Sequence, residues 1–162
     1  MRVAVYPGWF DPITNAHVEM VRRALLVFDK VVVLVGFNLR KKTMFTSGER
    51  VDLVRAVFAT EPRVEVAAFE GLIADYMRQH GYHFLLRGLR AVSDFDYEFQ
   101  MDLTNRHLNS DMQTVFLMAS ESNLYVASSM VREVAMLDGD ASGWVPPVVW
   151  RALKFKVEQQ HA

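Results

Sequence analysis

The sequence predicts an α/β protein, a Rossmann-like open sheet of five parallel strands with helices on both faces. Three observations carry that prediction. Short apolar stretches of strand length alternate with longer amphipathic stretches along the 162 residues, as strand–helix–strand units require. One apolar stretch, residues 31–37, is a valine-rich run without polar interruption, the pattern of a strand buried on both faces of a parallel sheet. Turn and capping residues fall between the elements, among them Pro7, Gly8 and Pro12, then Thr46, Gly71 and Gly81.

Each element follows in order. Residues 2–6 form the first strand. Val18, Val21, Ala24, Leu25 and Phe28 fall on one face of a helix over 18–28, with Thr14 or Asn15 as its cap. Residues 31–37 form strand two, and the polar loop 38–43 carries Arg40, Lys41 and Lys42. Thr46-Ser47-Gly48-Glu49 has capping-box spacing and opens a helix with Val51, Val54, Ala56, Val57 and Phe58 inward. Strand three spans 64–68. A short helix over 72–80 stops at Gly81, and strand four spans 83–87. A long helix over 93–108 takes its apolar side from Phe95, Phe99, Leu103 and Met101. Strand five spans 114–118, Ser128 and Ser129 cap a helix over 130–137, and Pro146-Pro147 start a final helix ending near 160. The chain reads as one domain, 1–162, with no repeat or linker.

Composition narrows the function. Hydrophobic residues make up 51% and charged residues 23%, ordinary for a globular enzyme. The absence of cysteine excludes disulfides, thiolate metal sites and a cysteine nucleophile. A formal net charge of -1 argues against a nucleic-acid partner. No apolar run reaches membrane-spanning length, and the N-terminus lacks a signal-peptide pattern. The expectation is a cytoplasmic protein with no membrane partner. His80, His83, His107 and His161 show no metal-ligand spacing, so no protein-held metal is expected.

In an open parallel sheet, ligands bind beyond the carboxyl ends of the strands. The segments there are 8–17, 40–42, 70–73, 88–90 and 120–129. Three of the five bring cations or a helix start suited to phosphate to one edge. His17 lies in the first turn of a helix, where backbone N–H groups and the dipole attract anions. The first turn lacks G-x-G-x-x-G and no acidic residue closes strand two, which argues against a dinucleotide dehydrogenase. Taken singly, His17 also suits a packing role, and Arg87 and Arg90 suit ion pairs with Asp94 or Glu98.

Together these residues resemble a known family. Tyr6-Pro7-Gly8, Phe10-Asp11-Pro12, Thr14-Asn15 and His17 resemble the histidine signature of the nucleotidylyltransferase superfamily. Lys41-Lys42 with Phe45, Arg87-Gly88-Leu89-Arg90-Ala91-Val92, Asp94-Phe95-Asp96-Tyr97-Glu98 and Asn105-Arg106 narrow the resemblance to the bacterial phosphopantetheine adenylyltransferases, over nearly the whole chain. The resemblance implies transfer of AMP from ATP to 4′-phosphopantetheine in coenzyme A biosynthesis, with Mg²⁺ carried by ATP, in a homohexamer. It implies catalytic roles for His17, Lys41 and Arg90. It implies nucleotide contacts at Gly8, Trp9, Phe10, His17, Gly88, Leu89, Arg90 and Glu98, and along Asn123, Leu124, Tyr125, Val126, Ala127, Ser128 and Ser129. Acceptor contacts are implied at Trp9, Lys41, Ile73 and Arg87.

Three positions depart from the family pattern. Trp9 stands where the family has serine or threonine, Ala16 where it has glycine, and Ala127 where it has a hydroxyl residue. Indole offers one N–H donor and no acceptor, so Trp9 is expected to weaken or alter acceptor binding while the ATP site survives. The alternatives are another phosphate-monoester acceptor, or a nucleotide-binding relative with weak or no activity.

Overall fold

The computed structural model describes residues 1–37 and 42–161. Lys41 and Arg40 lie outside the described residues. The elements are β1 (Val3–Gly8), α1 (Asn15–Ala24), β2 (Lys30–Gly36), α2 (Ser47–Val57), β3 (Val64–Phe69), α3 (Ile73–His80), β4 (Phe84–Leu89), α4 (Val92–Leu108), β5 (Gln113–Met118), α5 (Ser128–Met136) and α6 (Pro147–His161). All five strands are parallel, in the order β3-β2-β1-β4-β5, and helices cover both faces as predicted.

The pleat divides the core into two layers. Ala4, Tyr6, Val31, Val33, Val35 and Leu86 belong to the larger layer, with residues of α1, α2, α5 and α6. Val5, Val32, Leu34 and Leu85 face the other way, onto Ala74, Tyr76 and Met77 of α3. Pairing of β1 with β2 continues to Gly8, but its pairing with β4 is confined to Ala4–Phe84 and Val5–Leu85. Pro7 has no N–H to extend a ladder, and the sheet opens between β1 and β4 at that end.

Local signals were mostly reliable. Thr46 N–H donates to Glu49 Oε2 at 2.8 Å and Glu49 N–H to Thr46 Oγ1 at 3.2 Å, so the capping box forms. Gly81 stops α3 with φ of 65°, a left-handed conformation that glycine adopts without a Cβ penalty. Helix α1 starts three residues earlier than expected and ends at Ala24, because Thr14 is the cap.

Three expectations fail. On α2, Ala56 is exposed while Arg50 and Leu53 are buried, because the inward stripe follows Arg50, Val54 and Phe58 at intervals of four. On α4, Phe95, Phe99 and Leu103 are 49%, 49% and 46% exposed, whereas Glu98 and Asn105 are buried. The inward side of α4 lies over the open end of the sheet, where Arg87 needs a carboxylate. On α5, Ala127 rather than a serine is the cap residue. The Ser128 hydroxyl instead donates to Pro12 O at 2.8 Å, tying α5 to the turn after β1.

Candidate active site

The connection from β1 leads to β2 on one side, and β4 lies on the other. This is the switch in strand order where an α/β sheet opens a crevice. Two adjoining chambers occupy it, of about 830 and about 730 Å³. They share Pro7, Gly8, Trp9, Arg87, Tyr97 and Glu98 as walls.

The turn after β1 is built from buried polar groups with partners. Asp11 Oδ1 accepts from Phe45 N–H at 2.9 Å and Oδ2 from Met44 N–H at 3.0 Å. Arg132 of α5 lies 3.6 Å from the same carboxylate and donates to Asp11 O. One aspartate thus holds together the β1–α1 turn, the approach to α2 and the start of α5. Phe10 adopts φ of 49°, a conformation rare outside glycine. Its ring lies so close to Gly8 that a Cβ there would come within 2.8 Å of it, which explains glycine at that position.

His17 is oriented by backbone. Its Nδ1 accepts from Thr14 N–H at 3.0 Å, and the Thr14 hydroxyl lies 3.0 Å away. A backbone amide can only donate, so Nδ1 carries the lone pair and Nε2 the proton. The ring packs edge-on against Phe10 at 5.0 Å between centroids. Burial, with repulsion from Arg90 second, pushes its pKa down to about 4. At neutral pH His17 is therefore an uncharged N–H donor at a helix N-terminus.

The smaller chamber collects Arg23, Arg87, Arg90 and Arg132 with His17, and the N-termini of α1 and α5 open onto it through Ala16, Ala127, Ser128 and Ser129. Charge and helix dipoles suit this chamber to an anion. Its carboxylates are engaged with protein groups. Glu98 takes two hydrogen bonds from Arg87, at 2.8 Å from Nε and 2.5 Å from Nη2. That pairing holds the Arg87 pKa above its ordinary value. Asp94 Oδ2 accepts from the backbone of Arg90 at 3.1 Å and lies 3.8 Å from its Nε. Glu19 Oε2 accepts from Ser120 Oγ at 2.6 Å and from Asn123 Nδ2. Led by the Ser120 bond, these contacts keep Glu19 below the usual carboxylate range. Among the described residues, no group of three or more His, Asp or Glu is placed to hold a metal ion. The larger chamber is more apolar, with Leu34, Phe37, Phe69, Ile73 and Leu85 in its walls.

Most of the expected site residues converge here. Phe10, His17, Gly88, Arg90, Asn123, Val126, Ala127, Ser128 and Ser129 line the smaller chamber, Ile73 the larger, and Gly8, Trp9, Arg87 and Glu98 both. Leu89, Leu124 and Tyr125 are not among the residues lining either chamber, and Tyr125 is 87% exposed. Sequence reasoning missed Glu19, Arg50 and Arg132. Arg50 had a readable signal, a charge on the inward stripe of α2. Glu19 had none, since Ser120 and Asn123 are more than a hundred residues away.

The class of protein follows from fold and family pattern. The cytidylyltransferase-like family pattern matches residues 5–134, the span from β1 into α5. The "Phosphopantetheine adenylyltransferase" of Thermotoga neapolitana is 48% identical over 157 residues, 97% of this chain and 98% of that protein. Those of Moorella thermoacetica and Aromatoleum aromaticum are each 51% identical, over 94% and 96% of this chain and 96% and 95% of theirs. The chain belongs to the phosphopantetheine adenylyltransferase family.

Proposed function

We propose that the protein transfers the AMP part of ATP to 4′-phosphopantetheine, giving dephospho-coenzyme A and pyrophosphate. The observation that carries the chemistry is His17, a neutral Nε2–H donor fixed by a backbone amide at a helix N-terminus. An acceptor phosphate oxygen attacks the α-phosphorus of ATP. A P–O bond forms as the bond from the α-phosphorus to the bridging oxygen breaks, and pyrophosphate leaves with that electron pair. The protein supplies position and charge. His17 donates to an α-phosphate oxygen without carrying its own charge, and Arg90 balances the phosphates. Gly88, the N-terminus of α5 and the loop held by Glu19 support the nucleotide.

The larger chamber suits the acceptor arm, with Ile73 in its wall and Arg87 at the phosphate end. Arg87 reaches an incoming phosphate by sharing its fork with Glu98. Lys41 takes its acceptor role from the family resemblance. Mg²⁺ enters with ATP, where it neutralises phosphate charge. The engagement of Glu19, Asp94 and Glu98 with protein groups favours a metal held by phosphates and water.

A homohexamer is the assembly we favour, supported by the exposed apolar side of α4. Coenzyme A biosynthesis in the cytoplasm is the setting this activity implies. Among the described residues, no helix is long and apolar enough to cross a membrane.

The test is pyrophosphate release with ATP, Mg²⁺ and 4′-phosphopantetheine, with mass identification of the product. Dephospho-coenzyme A is expected, and His17→Asn should lower kcat about a hundredfold or more with smaller changes in KM. Release with another phosphate monoester only, or with none, would overturn the proposal.

A further inference from the structure

Arg50 is the most conspicuous charged group that the mechanism above leaves unused. It sits on the inward stripe of α2, 2% exposed. Its Nη1 donates at 2.7 Å both to Trp9 O and to Gly36 O, joining the turn after β1 to the end of β2. Its guanidinium carbon lies 5.5 Å from the centroid of the Trp9 ring, within cation–π range. Its Nε is buried with no hydrogen-bond partner. Burying a cation with a donor unmet is unfavourable, so the site retains an arginine against a local cost. A guanidinium does two things here at once, bridging two carbonyls and lying against an indole, which a shorter neutral donor cannot do.

Trp9, whose ring lies against that guanidinium, lines both chambers. In the reaction proposed above, the phosphate end of the acceptor must meet the α-phosphate of ATP at the junction of those chambers. Carbon atoms next to that phosphate therefore pass Trp9. In 4′-phosphopantetheine those carbons carry two methyl groups on a quaternary centre. An indole cannot accept a hydrogen bond and has a single N–H to donate, but it offers a large apolar surface to methyl groups.

We propose that Trp9 selects the acceptor by packing against the branched apolar carbon one methylene from its phosphate ester, and that Arg50 is the positioning residue that sets the indole for this contact. The inference rests on the adenylyl-transfer reading. Acceptor phosphate is then gripped by cations and backbone N–H groups, while discrimination comes from apolar contact with the branched carbon beyond the first methylene.

The test compares 4′-phosphopantetheine with its analogue lacking the two methyl groups. The wild-type enzyme is expected to prefer the natural acceptor in kcat/KM by about tenfold, the worth of two buried carbons. Trp9→Thr should reduce that preference to within about twofold. Arg50→Met should raise KM for the acceptor several-fold, with kcat and KM for ATP less affected. Arg50→Lys, which keeps the charge, should recover part of the loss.

A Trp144→Phe/Trp150→Phe background leaves Trp9 as the sole indole. Its emission should then shift when acceptor is added and differ between wild type and Arg50→Met at position 50. Equal loss for both acceptors in Trp9→Thr would overturn the role of Trp9. A lower Tm in Arg50→Met, with unchanged acceptor KM and unchanged Trp9 emission, would overturn the role of Arg50. If no acceptor supports pyrophosphate release, the adenylyl-transfer reading fails by itself. The emission titration then decides the wall, through a stronger response to the branched acceptor or an equal response to both.

Discussion

The β1–α1 turn and helix α4 are opposites in what they bury. The turn places Asp11 and Thr14 inside the protein, at 4% and 0% exposure, while α4 leaves Phe95, Phe99 and Leu103 about half exposed. Asp11 is met by two backbone amides and Arg132, and Thr14 by the His17 ring. On α4 the inward positions go to Glu98, which answers Arg87, and to Asn105. Burial here follows the partners a neighbourhood supplies as much as side-chain hydropathy. The difference also sorts the two regions, since the turn lines the crevice while α4 leaves apolar side chains exposed.

The largest effect should come from breaking the turn. Asp11→Ala leaves two amide donors without their acceptor in a buried place and removes the carboxylate opposite Arg132. Unfolding in urea should show a loss of about 3–5 kcal/mol. A loss below about 1 kcal/mol would mean that these bonds are replaced by water and that the turn is less dry than its burial indicates.

A second effect concerns His17 and pH. Its folded pKa of about 4 lies below the ordinary histidine value of 6.5, so the unfolded state takes up a proton first as pH falls. The contribution to stability is fully present above about pH 6.5 and is lost as pH drops toward 4. Its ceiling is roughly 3 kcal/mol. An NMR titration should place the His17 midpoint near 4, and His17→Gln should flatten the pH dependence of stability in that window. A midpoint near 6.5 would remove the argument for a neutral donor.

The smallest effect on the folded chain, within about ±0.5 kcal/mol per site, belongs to Phe95→Ser and Phe99→Ser. Their effect on assembly should be large. Light scattering should find a lower-mass species with an unchanged circular dichroism spectrum. If mass stays constant while stability falls by several kcal/mol, the two rings are core residues in solution and the contrast with the turn disappears.

Local chemistry was the legible part of this molecule. A capping pair three residues apart, a glycine that stops α3 and a valine run with no polar break each act over a few residues. Sequence spacing alone therefore located Thr46, Gly81 and β2. His17 was legible for the same reason, because its orienting partner, Thr14, lies one helical turn away. Trp9 was visible as a departure from the family pattern. Its neighbour Arg50 shows in the sequence only as a charge on the inward stripe of α2, since the pairing with Trp9 spans 41 residues.

By itself the sequence determined the alternation of strands and helices, the parallel sheet and the gathering of phosphate-binding chemistry at one edge. These depend on periodicity, turn residues and the rule that ligands meet the carboxyl ends of strands. Only the tertiary structure decided which face of α4 turns inward, that Arg87 shares its charge with Glu98, and that Glu19 secures the loop after β5. Those outcomes depend on how separate elements pack, β4 against α4 for Arg87 and Glu98, and segments about a hundred residues apart for Glu19. A distant partner can make a glutamate cheaper to bury than a phenylalanine, and no local pattern encodes where that partner will be.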